Sequence, residues 1–536
     1  MMRKTTIALL AVILLVGACG GNDDSSDTTY GRIDQTTTTA AASQTTASPG
    51  HPTPIAGDQR ATATTAMAET TTTAGAMTEE PRDVNFEDYG ANPFEDPIED
   101  SMSTFAVDVD TGSYTLMRAW INDGYLPDPD SVRVEEYVNY FDGGYQAPDD
   151  STFAIYADGG PTPYWDPAND ILRIGIKARE VTERQRQDMN LTLVVDVSGS
   201  MGDQNKLKMV QDALAVLIGE LDRYDTVGIV SYNTDARVVL EPTPASDADT
   251  IIDAIYRLSA GGNTNAEAGL LKGYDMADDS YQRDAVNRVV LLSDGVANVG
   301  NTGPGSILEQ IGDRTREDID LVTIGVGIST YNDVLLEQLA DQGNGWYAYV
   351  DTKDEAVKLF REQLTTSLET VARNAKVQVE FDPEYVDGYR LIGFENRAIA
   401  DQDFRDDSVD AGEINAGHTV TALYELDLTR DAYRTDEPFA TVHLRWIDPD
   451  TGRSEEIQGD VSTALLADRF DETSAQFQLV SSVAAYAEVL RDSRWVRGLH
   501  LDDVLAELDG LPWRQLNNDA ADEFYDIVSR AVRLEA

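Results

Sequence analysis

Leu191-Thr192-Leu193-Val194-Val195-Asp196-Val197-Ser198-Gly199-Ser200 decides how the centre of this 536-residue chain is read. A short apolar run, the pattern of a buried strand, ends in a loop carrying one carboxylate and two hydroxyls. A helical pattern follows, with Leu207, Val210, Leu214, Leu217 and Leu221 on one face. In an open parallel sheet the loop after a strand lies at the carboxyl edge, where ligands bind. Carboxylate and hydroxyl oxygens are hard ligands that suit Mg²⁺, Mn²⁺ or Ca²⁺ rather than Zn²⁺. Asp and Ser also favour turns and helix N-caps, so this stretch by itself leaves both readings open.

Two further pieces narrow the choice. Gly261-Gly262-Asn263-Thr264-Asn265 precedes another helical stretch and offers the Thr264 hydroxyl. Arg288-Val289-Val290-Leu291-Leu292 reads as a second buried strand and ends at Ser293-Asp294-Gly295, placing the Asp294 carboxylate at a strand's carboxyl end. The order D-x-S-x-S, then T, then D resembles the metal-ion-dependent adhesion site of von Willebrand factor type A domains. The resemblance implies that Ser198, Ser200 and Thr264 ligate Mg²⁺ through hydroxyls, with Asp196 and Asp294 acting directly or through water. It also implies an open coordination position for a partner's Asp or Glu carboxylate, since few formal charges touch the ion. Asn263 and Asn265 are expected either behind the ligands, supporting them, or at the rim.

Composition sets the class. With 96 Asp and Glu against 41 Lys and Arg, the formal net charge is −55. Nucleic acid is excluded as a partner, because neutralising phosphates needs clustered Lys and Arg. The single cysteine, Cys19, follows a basic start at Arg3 and Lys4 and an apolar run from Ile7 to Val16. That run is too short to span a bilayer. Val16-Gly17-Ala18-Cys19 resembles a bacterial lipobox, which implies cleavage before Cys19 and lipidation of its thiol. The expectation is a lipid-anchored protein of the cell membrane, facing the exterior. Residues 1–18 are then a signal peptide and 19–85 a disordered Thr/Ala/Ser-rich tether. Its composition cannot offset the entropy of ordering, and about 60 flexible residues reach roughly 45 Å.

Beyond the tether, the chain divides by periodicity. Residues 86–185 form an N-terminal flank with a strand near Phe105, two short helices, and a strand in which Leu172, Ile174 and Ile176 share a buried face. Residues 190–368 alternate strands and helices, the signature of a doubly wound, mostly parallel α/β domain. The strands are expected at Leu191–Val195, Thr226–Ser231, Arg237–Leu240, Val289–Leu292, Leu321–Val326 and Trp346–Tyr349. From 375 to 470 the period is two, giving antiparallel β structure. From 471 to 536 it is helical, with Phe477, Val480, Val483, Tyr486, Val489 and Leu490 as an apolar stripe. Neither flank has enough strands to make a two-sheet core, so the two are expected to pair into one β-sandwich into which the α/β domain is inserted. The helical tail should pack on this body, and the α/β segment is expected to fold on its own. Asn92-Pro93-Phe94, Ser103-Thr104-Phe105-Ala106-Val107-Asp108-Val109-Asp110-Thr111 and Arg133-Val134-Glu135-Glu136 resemble the N-terminal flank of a bacterial family of secreted lipoproteins with a central von Willebrand factor type A domain. Tyr389–Arg397 and Asp410–Ile414 resemble that family's C-terminal domain.

Enzymatic alternatives find no support. Asp110-Thr111-Gly112 and Asp450-Thr451-Gly452 are the triplets of an aspartic protease, but a whole α/β domain separates them and the second reads as a hairpin turn. An EF-hand starting at Asp108 would need Gly at its sixth position and Glu at its twelfth; Ser113 and Ala119 stand there. His51, His418, His443 and His500 lack metal-ligand spacing, and no G-x-S-x-G elbow surrounds Ser198 or Ser200. The expectation is a non-enzymatic binding protein. The rival reading is a structural component of a cell-envelope assembly in which the metal is only a staple.

Overall fold

The computed structural model of the protein describes residues 31–33, 35–37, 86, 88–107, 110–181, 186–294, 307, 319–327, 333–343, 345–360, 369–409, 411–516 and 518–535. Cys19 with its lipobox, most of the tether and Gly295 lie outside the described residues. Among the described residues no helix is long and apolar enough to cross a membrane.

The N-terminal part supplies β1 (Gly31–Arg32), β2 (Gln35–Thr37), β3 (Met102–Ala106), α1 (Gly112–Asp123), α2 (Val134–Asn139), β4 (Phe153–Pro161) and β5 (Asp170–Ala178). The α/β domain supplies β6 (Asp188–Asp196), α3 (Lys206–Glu220), β7 (Thr226–Tyr232), β8 (Ala236–Pro244), α4 (Ala248–Tyr256) and α5 (Ala266–Asp279). It continues with β9 (Ala285–Ser293), β10 (Ile319–Val326), α6 (Asp333–Gln342), β11 (Tyr347–Val350) and α7 (Lys353–Lys358). The chain then forms β12 (Thr370–Phe381), β13 (Val386–Ile392), β14 (Gly412–Asn415), β15 (Thr419–Leu428), β16 (Ala440–Asp448) and β17 (Arg453–Val461). It ends in α8 (Ala475–Leu490), α9 (Leu501–Leu508), α10 (Trp513–Leu516) and α11 (Asp519–Glu535).

The central six-stranded sheet runs β11-β10-β9-β6-β7-β8. Its pairings are parallel except that of β8 with β7. All six expected strands are present; five extend beyond their apolar runs, and the sixth, expected at Trp346–Tyr349, is shifted by one residue to Tyr347–Val350. Both faces are covered, as a parallel sheet requires. On one face α3 and α4 bury Leu207, Leu214, Leu217, Ile251 and Ile255 against Leu193 and Ile229.

The other two sheets face each other as a sandwich and draw strands from both sides of the insertion. One runs β1-β4-β5-β15-β13 and the other β14-β12-β16-β17-β2, with β3 also paired to β12. Alternation sets the register: Leu172, Ile174 and Ile176 of β5 lie opposite Tyr424, Ala422 and Val420 of β15. These residues share one core with Val377, Val379 and Phe381 of β12 and Val442, Leu444 and Trp446 of β16. The turn at Asp448–Arg453 joins β16 to β17 as a hairpin. The apolar stripe of α8 packs with α2, α9 and α11 into a helical core.

Two expectations are corrected. Residues within the tether form strands: β1 pairs with Ala157 and Tyr156 of β4, and β2 with Ile457–Gly459 of β17. The segment crosses from one sheet edge to the other and caps both, relieving the exposed-edge problem. Ile33, between the strands, is buried in the sandwich core, and its side chain lies where Gly459 lacks a Cβ. The second correction concerns the α/β domain, which is not self-contained. Helix α1, expected as a short flank helix, spans 12 residues and places Leu116, Ala119 and Trp120 in the core on the sheet's second face, with Val194, Leu291, Leu321, Tyr347 and Tyr349. Its other side places Tyr114, Met117 and Ile121 in the helical core. With apolar residues on two sides, the helix is buried between two bodies.

Ile33→Asp tests the strap. It loses an apolar anchor worth roughly 1.5–3 kcal/mol and faces the cost of burying an unpaired charge. The urea midpoint should fall, and limited proteolysis should reach residues 31–37 faster than in the wild type. Unchanged unfolding and proteolysis would place Ile33 outside the core.

Candidate metal centre

The strand ladders decide where the oxygen ligands meet. β6 ends at Asp196 and its neighbour β9 ends at Ser293, with Val195 opposite Leu292. Asp196 and Asp294 therefore leave adjacent strands at the same carboxyl edge, and both are fully buried. Asp196 is held from two sides. Its Oδ1 accepts from the Ser198 amide (2.7 Å) and its Oδ2 from the Ser293 hydroxyl (3.0 Å). The first hydrogen bond curls the loop back, so that the Ser198 and Ser200 hydroxyl oxygens lie 3.1 Å apart.

The second loop is stitched to the first through backbone. Gly261 N donates to Val197 O (2.8 Å) and Gly199 N to Gly262 O (3.0 Å). Gly262 has φ +95, and a Cβ there would lie 3.1 Å from the Asn233 amide nitrogen, so only glycine suits the turn. Asn233 Nδ2 also donates to Gly261 O (2.7 Å), and Asn265 N donates to Asn233 O (2.8 Å). These bonds fix the backbone on both sides of Thr264, which is buried on this loop.

Asn265 takes the supporting one of its two expected positions. Its side-chain oxygen accepts from Ala268 N (3.1 Å) and caps α5. That role keeps the residue after Thr264 at the start of the helix. Asn263 is exposed, and its backbone N–H donates to Thr234 Oγ1 (3.1 Å).

Three contributors were not legible as site residues: Ser293 and Asn233, which brace the loops, and Lys206. Lys206 opens α3, and its buried Nζ lies 3.1 Å from Asp294 Oδ2. The other oxygen, Asp294 Oδ1, is buried with no hydrogen-bond partner among the described residues. Burial first, and then the negative charge of Asp294, push the Asp196 carboxyl up from 3.8 to about 6, against the lowering effect of its hydrogen bonds to Ser198 and Ser293. Two carboxylates held close in a dry site, one with an orphaned oxygen, beside two clustered hydroxyls, make a donor set that fits a hard divalent cation. Among the described residues there is no cluster of three or more His, Cys, Asp or Glu placed for a metal; this donor set has only two carboxylates, the rest being hydroxyls.

The two D-T-G triplets do not meet. Asp110 accepts from Tyr347 N (3.0 Å) and pairs with Arg397 (3.3 Å), fastening β11 to the body, while Asp450 lies in the exposed hairpin turn.

The chain matches three known families. Residues 190–363 match the von Willebrand factor type A domain, 80–173 a family described as von Willebrand factor, and 366–534 the family described as "Uncharacterized protein YfbK, C-terminal". The Escherichia coli (strain K12) protein YfbK is 33% identical over 440 residues, covering 78% of this chain and 76% of that protein. The chain belongs to the YfbK family. Inter-alpha-trypsin inhibitor heavy chain H2 of Mesocricetus auratus is 26% identical over 197 residues, covering 34% of this chain and 21% of that one. Among solved structures, the von Willebrand factor type A protein from Catenulispora acidiphila is 15% identical, with a TM-score of 0.41, over 69% of this chain and 88% of that one. The von Willebrand factor type A relationship makes the central domain an interaction module.

The raised Asp196 carboxyl has a sign that can be checked. A group whose pKa is higher when folded stabilises the fold below its unfolded value and loses that contribution as pH rises through the folded one. With metal chelated, the shift from 3.8 to about 6 corresponds to roughly 3 kcal/mol of lost stability above about pH 6. Asp196→Asn removes it. In chelator its advantage over the wild type should grow by about 1 kcal/mol from about pH 5 to pH 6 and level off above about pH 7. Denaturant titrations at several pH values measure this, and a pH-independent difference would contradict the assignment.

Proposed function

We propose that this chain is a lipid-anchored cell-surface protein that binds an acidic group of a protein partner through a metal-ion-dependent adhesion site. Asp196, Ser198, Ser200, Thr264 and Asp294 would hold the cation, Mg²⁺ by preference, with Mn²⁺ or Ca²⁺ as substitutes. The observation carrying this reading is the buried Asp294 Oδ1, orphaned among the described residues, at a carboxyl edge that also gathers Asp196, Ser198 and Ser200.

The protein's own part is positioning. Ser293 and the Ser198 amide orient Asp196, and the stitched glycine turn presents Thr264. When bound, the cation supplies a Lewis-acid position that a partner's Asp or Glu carboxylate fills. The site's neutral hydroxyls add no charge to quench it.

Asp196→Ala and Thr264→Ala should each abolish most of the Mg²⁺-dependent rise in melting temperature, which linkage sets at about 2.7 kcal/mol when Mg²⁺ is at a hundred times its Kd. In parallel, a pull-down from envelope extract should recover a partner with wild type in Mg²⁺ but not with Asp196→Ala or after chelation. Equal Mg²⁺ affinity in wild type and Asp196→Ala would refute the site. Capture that survives chelation but needs the β-sandwich would instead establish the structural reading, in which the metal is a staple.

The anchor has its own test. Cys19 is the one cysteine of the chain and stands where a lipobox requires it. Two or three acyl chains would hold the protein stably at a membrane, where one is marginal. Cys19→Ser should release the protein or stall its processing; normal maturation and unchanged membrane retention would refute lipidation.

A further inference from the structure

Lys206 stands in an improbable place. Its side chain is 2% exposed and ends 3.1 Å from Asp294 Oδ2, a carboxylate that is itself fully buried. Burying an ammonium costs several kcal/mol unless it is paired, and an apolar residue at the start of α3 would fill the same space without that cost. The surroundings are shaped for the lysine. Asn205, just before it, adopts a left-handed backbone (φ 61), which turns the chain from the short helical segment beginning at Ser200 into α3. Gly327, at the end of β10, has φ +85, and a Cβ there would lie 2.3 Å from Lys206 Cε. The carboxyl end of a third strand is thus kept bare along the lysine stem. Three separate features place one positive charge on one of the two carboxylates that face the cation position.

We propose that Lys206 is a resident counter-cation of the adhesion site, which holds Asp294 in place and lowers the affinity of the site for divalent metal. This rests on the reading of Asp196 and Asp294 as metal-holding groups. Without the lysine those two carboxylates bring two negative charges to the cation; with it, the site's net charge is −1. A divalent ion then leaves the loaded site positive rather than neutral. Such a charge suits capture of a carboxylate, and it is obtained by giving up metal affinity. Lys206 is a positioning residue in this scheme. It also keeps Asp294 paired before metal arrives, so that the like-charged loops are not left to repel one another in a dry site.

The test is Mg²⁺ titration calorimetry on the full chain. Removing a unit positive charge a few ångströms from the ion should tighten Mg²⁺ binding by at least about tenfold in Lys206→Met, the size expected even at a water-like dielectric. Lys206→Gln, which keeps a hydrogen-bond donor and serves if the methionine variant folds poorly, should move in the same direction. Lys206→Arg, which keeps the charge, should not tighten binding. A second readout separates charge from packing. In chelator Lys206→Met should melt below wild type, because Asp294 loses its partner, and saturating Mg²⁺ should close that gap. If wild type binds Mg²⁺ and both neutral variants bind it equally or more weakly, the counter-cation role is overturned while the metal site stands. If Mg²⁺ binds the neutral variants but not wild type, the proposal holds in its strongest form. If no variant binds Mg²⁺, Mn²⁺ or Ca²⁺, the metal site and the role of Lys206 fall together.

Discussion

The pairing of β5 with β15 is the contact on which the architecture depends. It joins Asp170–Leu426 at one end to Lys177–Thr419 at the other, across the entire α/β insertion. Neither partner has another way to bury both edges: β5 lies between β4 and β15, and β15 between β5 and β13. Without this ladder, the N-terminal flank is a hairpin with an apolar face, and the C-terminal strands are a sheet with a missing centre. Two-stranded ribbons are marginal in water, so the sandwich exists only when both halves of the chain have been brought together. Closing such a loop has a real entropic cost, but that cost grows only logarithmically with its length. A folded insertion lowers it further, because the ends of a compact domain usually lie near one another.

The insertion is also locked in orientation. Arg118, on α1, reaches Asp351 (2.6 Å) and Glu355 (2.9 Å) beyond β11, and Glu523 (3.1 Å) on α11. Arg133 and Arg397 both meet Glu337 on α6 (2.8 and 3.4 Å). Next to these, Asp110 binds the backbone of Tyr347. Breaking one partner of a buried ion pair leaves the other charge unsolvated, at a cost of about 3–5 kcal/mol. The contacts therefore act less as glue than as a selection of one arrangement, with the edge strand β11 held against α1. Because α1 serves the sheet on one side and the helical core on the other, a rotation of the domain would have to unpack both.

Much of this was legible in the sequence, for identifiable reasons. The inner strands of the α/β domain are buried on both faces and show as apolar runs, and those of the sandwich show as alternation because their outward residues, such as Arg173 and Glu425, are polar even where they are buried. The five proposed ligands were visible because a chemical pattern fell at the ends of such runs. The features that stayed hidden have no periodic signature. The strap at Gly31–Thr37 contributes backbone hydrogen bonds and a single buried side chain, Ile33, within a polar Thr-rich stretch. Helix α1 was seen as a flank helix, yet Leu116 and Trp120 lie on one side of it and Tyr114, Met117 and Ile121 on another, and those two apolar sides were the available sign of two neighbours. Lys206 sits in sequence among ordinary solvent-facing helix residues. Only the path of α3 past Gly327 brings its ammonium to Asp294, and that path is a tertiary fact.

The acidity of the chain bears on how such a site would work. With a net charge of −55, the molecule repels an acidic partner at long range. Arg173, Arg288 and Arg390 are fully buried, with Arg390 paired to Glu425 (2.8 Å) and Arg173 to Asp158 (2.7 Å). Part of the positive charge is thus used inside the fold, where it offsets the chain's own carboxylates. At physiological ionic strength, however, exposed charges more than about 8 Å apart are largely screened, while buried ones are not. An arriving carboxylate would therefore respond to the last few ångströms, where the balance would be set by Asp196, Asp294, Lys206 and any cation bound there. Only a locally positive site can bind an anion on a molecule this acidic, and the neutral hydroxyls of Ser198, Ser200 and Thr264 let the site be positive once a divalent ion is present. An all-carboxylate cage would hold the metal more tightly and present nothing for an acidic partner to bind.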